Sequence, residues 1–433
     1  MSRPIALDLT RIFIGLLRAV PRGIDRVEFA YADELLNNWP GECLIVLPTP
    51  LGVRCFERAQ GQKFIALART LWREAPADGA RTGYERLEGI EAWLRGEGPR
   101  PVQSRRRKSP FGGVGRALAG LVSEVGLPAG KSPVAAVPQG AVYLNVGQSG
   151  LAATPLLSWL AKRPDVKPVF MLHDVIPLEF PEYVPPFDLR QFRKIVANTA
   201  KHAAGLIATT EAAAGSIRAA LRRQGRKSIN EIAIPLPAPA GFLEPVTVEA
   251  DASSRALPPY FVCCGSIEPR KNHLLLLHAW RALAARHGPA TPKLVLVGAR
   301  WNAGDTLTAM LDRCAAISDL VCEAPGLPTP ALKRLLAGAR ASLMPSFAEG
   351  FGLPIVEALA LGTPVIASDL PAHREAGGSC GIYIDPLDGP GWIAAIERLA
   401  SDDPDAARAT LTGYRPWRWD DYFARLRPFL ESV

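Results

Sequence analysis

Short runs of apolar residues alternate along the chain with longer stretches whose apolar positions follow a helical spacing. The short runs predict buried strands and the longer stretches predict helices, and their alternation is typical of βα units in parallel sheets. The predicted strands cover residues 5–9, 44–47, 141–146, 169–173, 206–209, 232–236, 260–264, 294–298, 341–344, 365–368 and 382–384. The predicted helices include residues 26–36, 189–203, 272–287, 354–361 and 419–430.

A polar stretch at residues 246–258, rich in small side chains, interrupts this alternation and predicts a linker. It separates a first domain, residues 1–245, from a second domain, residues 259–416. The predicted fold class is therefore α/β, with two doubly wound, Rossmann-like domains that face each other across a cleft. Such domains bind ligands at the carboxyl ends of their parallel strands.

A second interruption, residues 96–133, is rich in Gly, Pro, Ser and basic side chains. We interpret it as an insertion in the first domain. Its cations, between Arg100 and Lys131, favour an anionic membrane surface as a partner, and a solvated loop is the alternative. The segment lacks interleaved aromatic residues or a recognised nucleic-acid module, so we expect no nucleic-acid partner.

The composition supports a folded protein with anionic ligands. Hydrophobic residues make up 48% of the 433 residues and charged residues 21%, which excludes a largely disordered chain. The formal net charge of +8 favours partners that carry phosphates. No apolar run approaches the roughly 20 residues that cross a bilayer, and the seven cysteines do not form a disulfide framework, so we expect a cytoplasmic protein.

The strongest candidate site follows the predicted strand 341–344. A loop presents Glu349, a glycine-containing turn comes next, and Pro354 falls in the first turn of a helix, where its missing N–H costs nothing. Backbone amides at this helix start favour an anion or a sugar hydroxyl, and Glu357 lies close enough to reach the same ligand. The alternative is that Glu349 only caps the turn and Glu357 is an exposed helix residue. The amides concerned are those of Gly350, Phe351 and Gly352.

Two cations follow the first strand of the second domain. Arg270 and Lys271 lie in a strand–loop–helix segment, where a planar guanidinium and a compact ammonium suit a diphosphate. The alternative is that both are ordinary surface cations. His273 is a weaker candidate, because it begins the next helix and a capping role would explain it.

Two places in the first domain are also candidates. His173 and Asp174 lie at the carboxyl end of the predicted strand 169–173, where a ligand would bind. Gly23 and Arg26 lie between the first strand and the first helix, where a glycine permits close backbone approach and an arginine can meet a phosphate. A simple helix start with Asp25 as the cap explains the second place nearly as well.

These motifs resemble those of the family 4 glycosyltransferases. Residues 349–357 match the family's Glu-x7-Glu motif, residues 362–368 match the run that follows it, and residues 173–177 match its His-Asp-x-Ile-Pro pattern. The resemblance implies a retaining enzyme of GT-B fold that uses a nucleotide-sugar donor. It also implies that the terminal segment 417–433 packs back on the first domain.

The resemblance also assigns roles to single residues. Glu349 would contact the donor sugar, Glu357 would hold the ribose hydroxyls, and His173 would touch the donor sugar or its phosphate. Many members have an arginine where this chain has Ser266, so Arg270 and Lys271 would bind the diphosphate together. Glu349 and His173 are the candidate catalytic residues, and the candidates for a donor or acceptor loop are Gly23, Arg26 and Asp174.

The expected function is transfer of a hexose, with mannose favoured by resemblance to bacterial members, from a nucleoside diphosphate to a polysaccharide or lipid-linked oligosaccharide. We expect no cofactor and no metal ion, because cationic side chains can take the place of magnesium. Two alternatives remain: a nucleotide-sugar epimerase or phosphorylase on the same fold, and a catalytically silent scaffold subunit of a polysaccharide assembly complex.

Overall fold

The computed structural model describes residues 2–16, 23–73, 77–101, 119–123, 125–127, 129–244 and 257–433. The chain divides into two compact units, each built around its own sheet. Unit 1 comprises Met1–Ala77, Arg107–Ile234 and Trp419–Val433, and unit 2 comprises Asp78–Arg106 and Pro235–Arg418.

The strands are short and mostly buried, as expected for sheets covered on both faces. They are β1 Ile5–Asp8, β2 Cys43–Thr49, β3 Gly52–Phe56, β4 Val142–Asn145, β5 Lys167–Met171, β6 Gly205–Ala208, β7 Asn230–Ala233, β8 Tyr260–Cys264, β9 Lys293–Val297, β10 Val321–Glu323, β11 Ala341–Met344, β12 Val365–Ser368 and β13 Gly381–Ile384.

Helices connect most of these strands. They are α1 Thr10–Gly15, α2 Gly23–Asn38, α3 Arg58–Arg73, α4 Ala77–Arg95, α5 Pro133–Ala136, α6 Thr154–Leu157, α7 Ile176–Glu179, α8 Pro186–His202, α9 Glu211–Arg223, α10 Ala240–Leu243, α11 His273–His287, α12 Asp305–Arg313, α13 Thr329–Gly338, α14 Leu353–Ala360, α15 Pro371–Gly377, α16 Gly389–Ser401, α17 Pro404–Ala409 and α18 Trp419–Ser432.

The sheet of unit 1 has the strand order β3-β2-β1-β4-β5-β6-β7 in the part of the chain that the structure describes. Its strands are parallel except for the β2–β3 hairpin at one edge. The apolar residues of β4, β5 and β6 form a core with the helices that cover them. The order reverses between β1 and β4, so the loops that follow these two strands diverge and leave a crevice.

The sheet of unit 2 is wholly parallel, with the order β10-β9-β8-β11-β12-β13 among the described strands. This is the order of a dinucleotide-binding fold, with the reversal between β8 and β11. Its core packs around Trp280 and Trp392, both fully buried.

Helix α4 precedes β4 in the chain but packs in unit 2. Its buried residues Leu87, Ile90 and Trp93 recur at intervals of three, as on one face of a helix. The Lys293 ammonium, at the start of β9, lies 4.4 Å from the centre of the Trp93 ring. Residues from the first half of the chain are thus buried in the second unit.

Helix α18 belongs to unit 1. Its Tyr422 hydroxyl is 2.5 Å from the Tyr31 hydroxyl of α2, and both rings are buried. Leu426 and Leu430 are fully buried on the same face.

The predicted α/β class with two doubly wound sheets is confirmed, and the predicted strands agree with observed ones to within a few residues. The apolar pattern does not predict β3 and β10. Residues 245–256, which include most of the predicted linker, and residues 102–118, which include most of the basic cluster, lie outside the described residues.

Candidate functional site

The two strongest sequence motifs lie on the two loops at the reversal point of the unit 2 sheet. Arg270 and Lys271 follow β8, and Glu349 follows β11, the neighbouring strand. The Phe347 N–H donates to the Arg270 carbonyl at 2.9 Å, so the two loops are joined through their backbones. The structure therefore brings together the residues that the sequence predicts for one ligand.

Glu349 is held by two cations. The Lys271 ammonium lies 2.5 Å from Oε1, and the Arg270 guanidinium lies 3.0 Å from Oε2. The Ser346 hydroxyl also donates to Oε1 at 2.8 Å. Burial by itself would raise the pKa of Glu349, but the positive charges of Arg270 and Lys271 hold it well below its ordinary value. The carboxylate is therefore ionised at neutral pH.

Glu268 extends this cluster and was not a candidate from the sequence. Its Oε1 accepts hydrogen bonds from the Arg270 guanidinium at 2.9 Å and from the Ser266 hydroxyl at 3.0 Å. The Arg270 guanidinium also donates to the Ala348 carbonyl at 2.6 Å. The sequence predicts that Arg270, Lys271 and Glu349 contact one ligand, and the structure also pairs them with one another. A bound anion would therefore share these cations with Glu349.

The turn after Glu349 requires glycine at one position. Gly352 has φ of +119°, in the left-handed region that favours glycine, and precedes the first residue of α14. Phe351 is buried and anchors the turn. Pro354 lies in the first turn of α14, as predicted. The amides of Gly350, Phe351 and Gly352 thus lie at a helix start beside Glu349, where an anion or a sugar hydroxyl is favoured.

Glu357 lies in the middle of α14 and is only 5% exposed. Its neighbours Ile355, Val356, Ala358 and Leu359 are buried as well. The alternative, that Glu357 is an exposed helix residue, is therefore wrong. Its contact with ribose remains a prediction.

His373, in the first turn of α15, is close to the same turn and was not predicted as a site residue. One of its ring nitrogens, Nδ1, lies 2.9 Å from the Ser368 carbonyl, and the other, Nε2, is buried without a hydrogen-bond partner in the described structure. A methyl group on Gly352 would lie 3.3 Å from Cδ2 of this ring. The only sequence signal is its position just after the predicted strand 365–368.

His273 begins α11 and is almost fully buried, and neither ring nitrogen has a side-chain hydrogen-bond partner among the described residues. Burial, with the charge of Lys271, lowers its pKa to about 4, so the ring is neutral. It packs under the Arg270–Lys271 loop.

The unit 1 candidates surround the reversal point of the other sheet. His173 follows β5, and its Nε2 lies 3.0 Å from the carbonyl oxygen of Val146, which follows β4. Burial lowers the pKa of His173 to about 4, so the ring is neutral at pH 7. Asp174 accepts a hydrogen bond from the N–H of Ile176, the first residue of α7, at 3.0 Å.

Gly23 and Arg26 lie in the first turn of α2, and residues 17–22 before them are outside the described residues. Asp25, the alternative cap, is fully buried and lies 2.5 Å from the Arg11 guanidinium. Arg26 is half-buried.

A buried acidic group at this reversal point was not predicted. Glu28 of α2 is fully buried, with one oxygen accepting from the Ile12 N–H at 2.6 Å and the other without a partner in the described structure. Asp8, at the end of β1, accepts from the Tyr143 hydroxyl. Burial raises the pKa of Glu28 well above its ordinary value, and the neighbouring charge of Asp8 adds to this.

Among the described residues, no three His, Cys, Asp or Glu side chains come together in a way that could hold a metal ion. None of the described helices combines the length and the apolar character that crossing a membrane requires.

Comparison with known proteins agrees with this geometry. Residues 258–402 match the family described as Glycosyl transferases group 1. The matched part of the chain lies within unit 2. It contains both loops of the unit 2 site, so the cluster around Glu349 lies within it.

The curated relatives include mannosyltransferases. The chain is 35% identical over 154 residues to the O-antigen chain mannosyltransferase B of Escherichia coli, a match that covers 36% of this chain and 40% of that protein. It is 28% identical over 219 residues to the serotype-specific mannosyltransferase WbdA of the same species, covering 48% of this chain and 26% of the relative. The matches thus span between about a quarter and two fifths of these relatives.

Solved structures show the same fold over the whole chain. The N-terminal domain of Candida albicans trehalose-6-phosphate phosphatase superposes with a TM-score of 0.58 at 12% identity and covers 100% of this chain and 96% of that one. HepE from Anabaena, solved in complex with UDP, superposes with a TM-score of 0.55 at 16% identity and covers 100% of both chains. The predicted GT-B fold is confirmed.

Proposed function

We propose that the protein is a retaining glycosyltransferase that moves a hexose, with mannose favoured, from a nucleoside diphosphate to a polysaccharide or lipid-linked oligosaccharide. The observation that carries the proposal is the pairing of Arg270, Lys271 and Glu349 at the reversal point of a sheet, in the part of the chain that matches the group 1 glycosyltransferases. Ligands of such sheets bind at this point.

The chemistry of the cluster suits departure of a nucleoside diphosphate. Breaking the bond between the sugar and the phosphate builds negative charge on the diphosphate. Arg270 and Lys271 would stabilise that charge, together with the amides of Gly350, Phe351 and Gly352 at the start of α14. Because these side chains supply the positive charge that a metal ion would otherwise provide, transfer proceeds without a metal ion.

The two glutamates take different parts. Glu349, ionised beside the cations, contacts the donor sugar, where a fixed negative charge favours the positive charge that develops as the leaving group departs. Glu357, one turn into α14, accepts hydrogen bonds from the ribose hydroxyls. Retention of the anomeric configuration rests on the Glu-x7-Glu resemblance.

The choice of mannose and of a glycan acceptor rests on relatives that are described as O-antigen and serotype-specific mannosyltransferases. The acceptor binds at the reversal point of the unit 1 sheet. Candidates for a donor or acceptor loop there are Gly23, Arg26 and Asp174, and His173 would touch the donor sugar or its phosphate. An anionic membrane surface would hold the protein near a lipid-linked acceptor through the basic residues between Arg100 and Lys131.

The test is a transfer assay with GDP-mannose, UDP-glucose and UDP-N-acetylglucosamine as donors and octyl α-mannoside as acceptor, with products identified by mass. We expect a hexose-extended glycoside from GDP-mannose, an unchanged rate in chelator, and retention by NMR of the product. A sugar nucleotide converted to its epimer, or turnover that requires inorganic phosphate, would contradict transfer and support the alternatives. Activity that is lost in chelator and restored by magnesium would contradict the proposal that Arg270 and Lys271 neutralise the diphosphate.

A further inference from the structure

His373 is a buried titratable side chain beside Glu349 to which the proposed reaction gives no role. It lies in the first turn of α15 and is fully buried. Because a backbone carbonyl can only accept, the contact with the Ser368 carbonyl places a hydrogen on Nδ1. The other nitrogen, Nε2, then carries a lone pair that no described residue uses.

Nitrogen Nε2 is the one polar atom of the ring left to gain or lose a proton. A buried polar atom without a partner is costly, and such atoms in native structures call for an explanation. A methyl group added at Gly352, three residues after Glu349, would lie 3.3 Å from Cδ2 of the ring. A proton gained at Nε2 would thus appear directly behind the loop that presents Glu349.

The charged groups around His373 determine whether the ring gains this proton. Glu349 favours the charged ring, whereas Lys271 and Arg270 oppose it. On a neighbouring element, the Tyr383 hydroxyl of β13 donates to the His373 carbonyl at 3.2 Å. On its own helix, Arg374 is paired with Asp369. Burial first, and the two cations after it, lower the pKa of His373, so the ring is neutral in the free protein.

A diphosphate changes this balance, because Arg270 and Lys271 would share their charge between it and Glu349. A buried carboxylate that loses part of its counter-charge becomes costly. Either Glu349 gains a proton, which removes the charge that the proposed reaction needs, or another cation appears beside it. An imidazolium at His373 supplies that cation without moving the loop.

We propose that His373 takes up one proton from solvent at Nε2 when a nucleoside diphosphate sugar binds Arg270 and Lys271, and that this proton keeps Glu349 ionised. His373 is then a positioning residue that acts through Glu349. The inference rests on the proposed function, because it requires a diphosphate ligand at this cluster. Binding then becomes tighter as the pH falls, since the complex holds one more proton than the separate partners.

The test is calorimetric titration of GDP-mannose and UDP-glucose into the whole protein, in buffers of different ionisation enthalpy, between pH 6 and 8.5. The diphosphate of these sugars has no proton that titrates near neutral pH, so proton uptake reports the protein. We expect uptake approaching one proton per bound ligand at pH 7, and affinity about tenfold higher at pH 6.5 than at pH 8.5.

His373→Asn is the matched variant, because its amide can still donate to the Ser368 carbonyl but cannot gain a proton. We expect it to bind without proton uptake, with the pH dependence lost. His287→Asn removes an exposed histidine that pairs with Glu397, and should leave the uptake unchanged. In parallel, the ¹⁵N resonance of Nε2 in the wild type should shift to that of imidazolium when ligand is added.

Binding without proton uptake, or uptake that persists in His373→Asn, would overturn the role of His373 and leave the proposed function intact. Should neither sugar nucleotide bind at any pH, the proposed function fails and the inference fails with it. If His373→Asn does not fold, an unchanged Nε2 resonance in the liganded wild type is the result that refutes the proposal.

Discussion

Glu349 is a carboxylate whose neighbours keep it ionised in a buried place. The side chain is only 10% exposed, and Lys271 and Arg270 each contact one of its oxygens. Such a pair costs desolvation free energy and is weak evidence for stability. Its value therefore lies in chemistry, where a charge fixed in place stabilises a transition state.

We predict that Glu349→Gln abolishes transfer while nucleotide binding largely persists, because the amide keeps the shape but loses the charge. Glu357→Ala should instead weaken nucleotide binding by about 1–3 kcal/mol through lost hydrogen bonds to ribose. Rates and titrations of the same samples separate the two effects. Glu397→Gln, at a half-buried carboxylate outside this cluster, is the control.

Equal nucleotide affinity in the wild type and Glu357→Ala would remove the ribose role. Transfer by Glu349→Gln at a rate close to the wild type would show that the charge at this position is not used.

For individual residues, the sequence predicts which side chains belong to the site but not which of them form ion pairs with one another. Glu349, Arg270 and Lys271 were predicted from loop positions after strands, and the structure brings them together. His373 and Glu28 were not predicted, because neither belongs to a recognised motif and each lies within a helix beside an apolar residue. Only the packing of α15 and α2 makes them part of a site.

The loops that follow β8 and β9 touch backbone to backbone. A methyl group added at Gly298 would lie 1.7 Å from the Gly265 carbonyl oxygen, and Gly265 has φ of +144°. Because backbone cannot move aside as a flexible side chain does, these glycines fix the path of the chain into the Arg270–Lys271 loop.

We therefore expect Gly298→Ala to lower the free energy of unfolding by about 2 kcal/mol or more and to weaken nucleotide binding. The measurement is chemical denaturation together with a titration. Gly89→Ala is the control, since a methyl group there meets no atom within 4 Å, and it should be neutral or stabilising. An unperturbed Gly298→Ala variant would mean that the close approach of the two loops does not occur.

At the scale of elements, apolar periodicity predicted most strands because the sheets are buried on both faces. It did not predict β10, which is only three residues long, or β3, in which Arg54 interrupts a short edge strand. Edge strands carry a weak pattern, because fewer of their side chains need burial.

At the scale of the whole molecule, the second unit is built from two separate parts of the chain. Helix α4 lies between β3 and β4 in sequence, yet its Trp93 ring contacts the Lys293 ammonium of β9. Its buried Glu91 lies 2.8 Å from the Arg334 guanidinium of α13. The position of the predicted linker does not predict this arrangement. Composition indicates where a linker lies, but it does not show in which domain a given helix packs.

We predict that Ile90→Ala, at a fully buried position of α4, destabilises unit 2 by about 2–5 kcal/mol. Hydrogen exchange read by mass spectrometry should show protection lost in β9 and β10 and retained in β4 and β5. Loss of protection in unit 1 with unit 2 unchanged would contradict the grouping of α4 with unit 2.

The central claim is that a nucleoside diphosphate sugar binds where the loops after β8 and β11 meet. The most direct measurement is hydrogen exchange of the whole protein with and without saturating GDP-mannose. We expect slower exchange at residues 266–272 and 346–353, with the protection lost in a Lys271→Ala variant at the same ligand concentration. Saturable binding of GDP-mannose that leaves both loops exchanging as in the free protein would contradict the account.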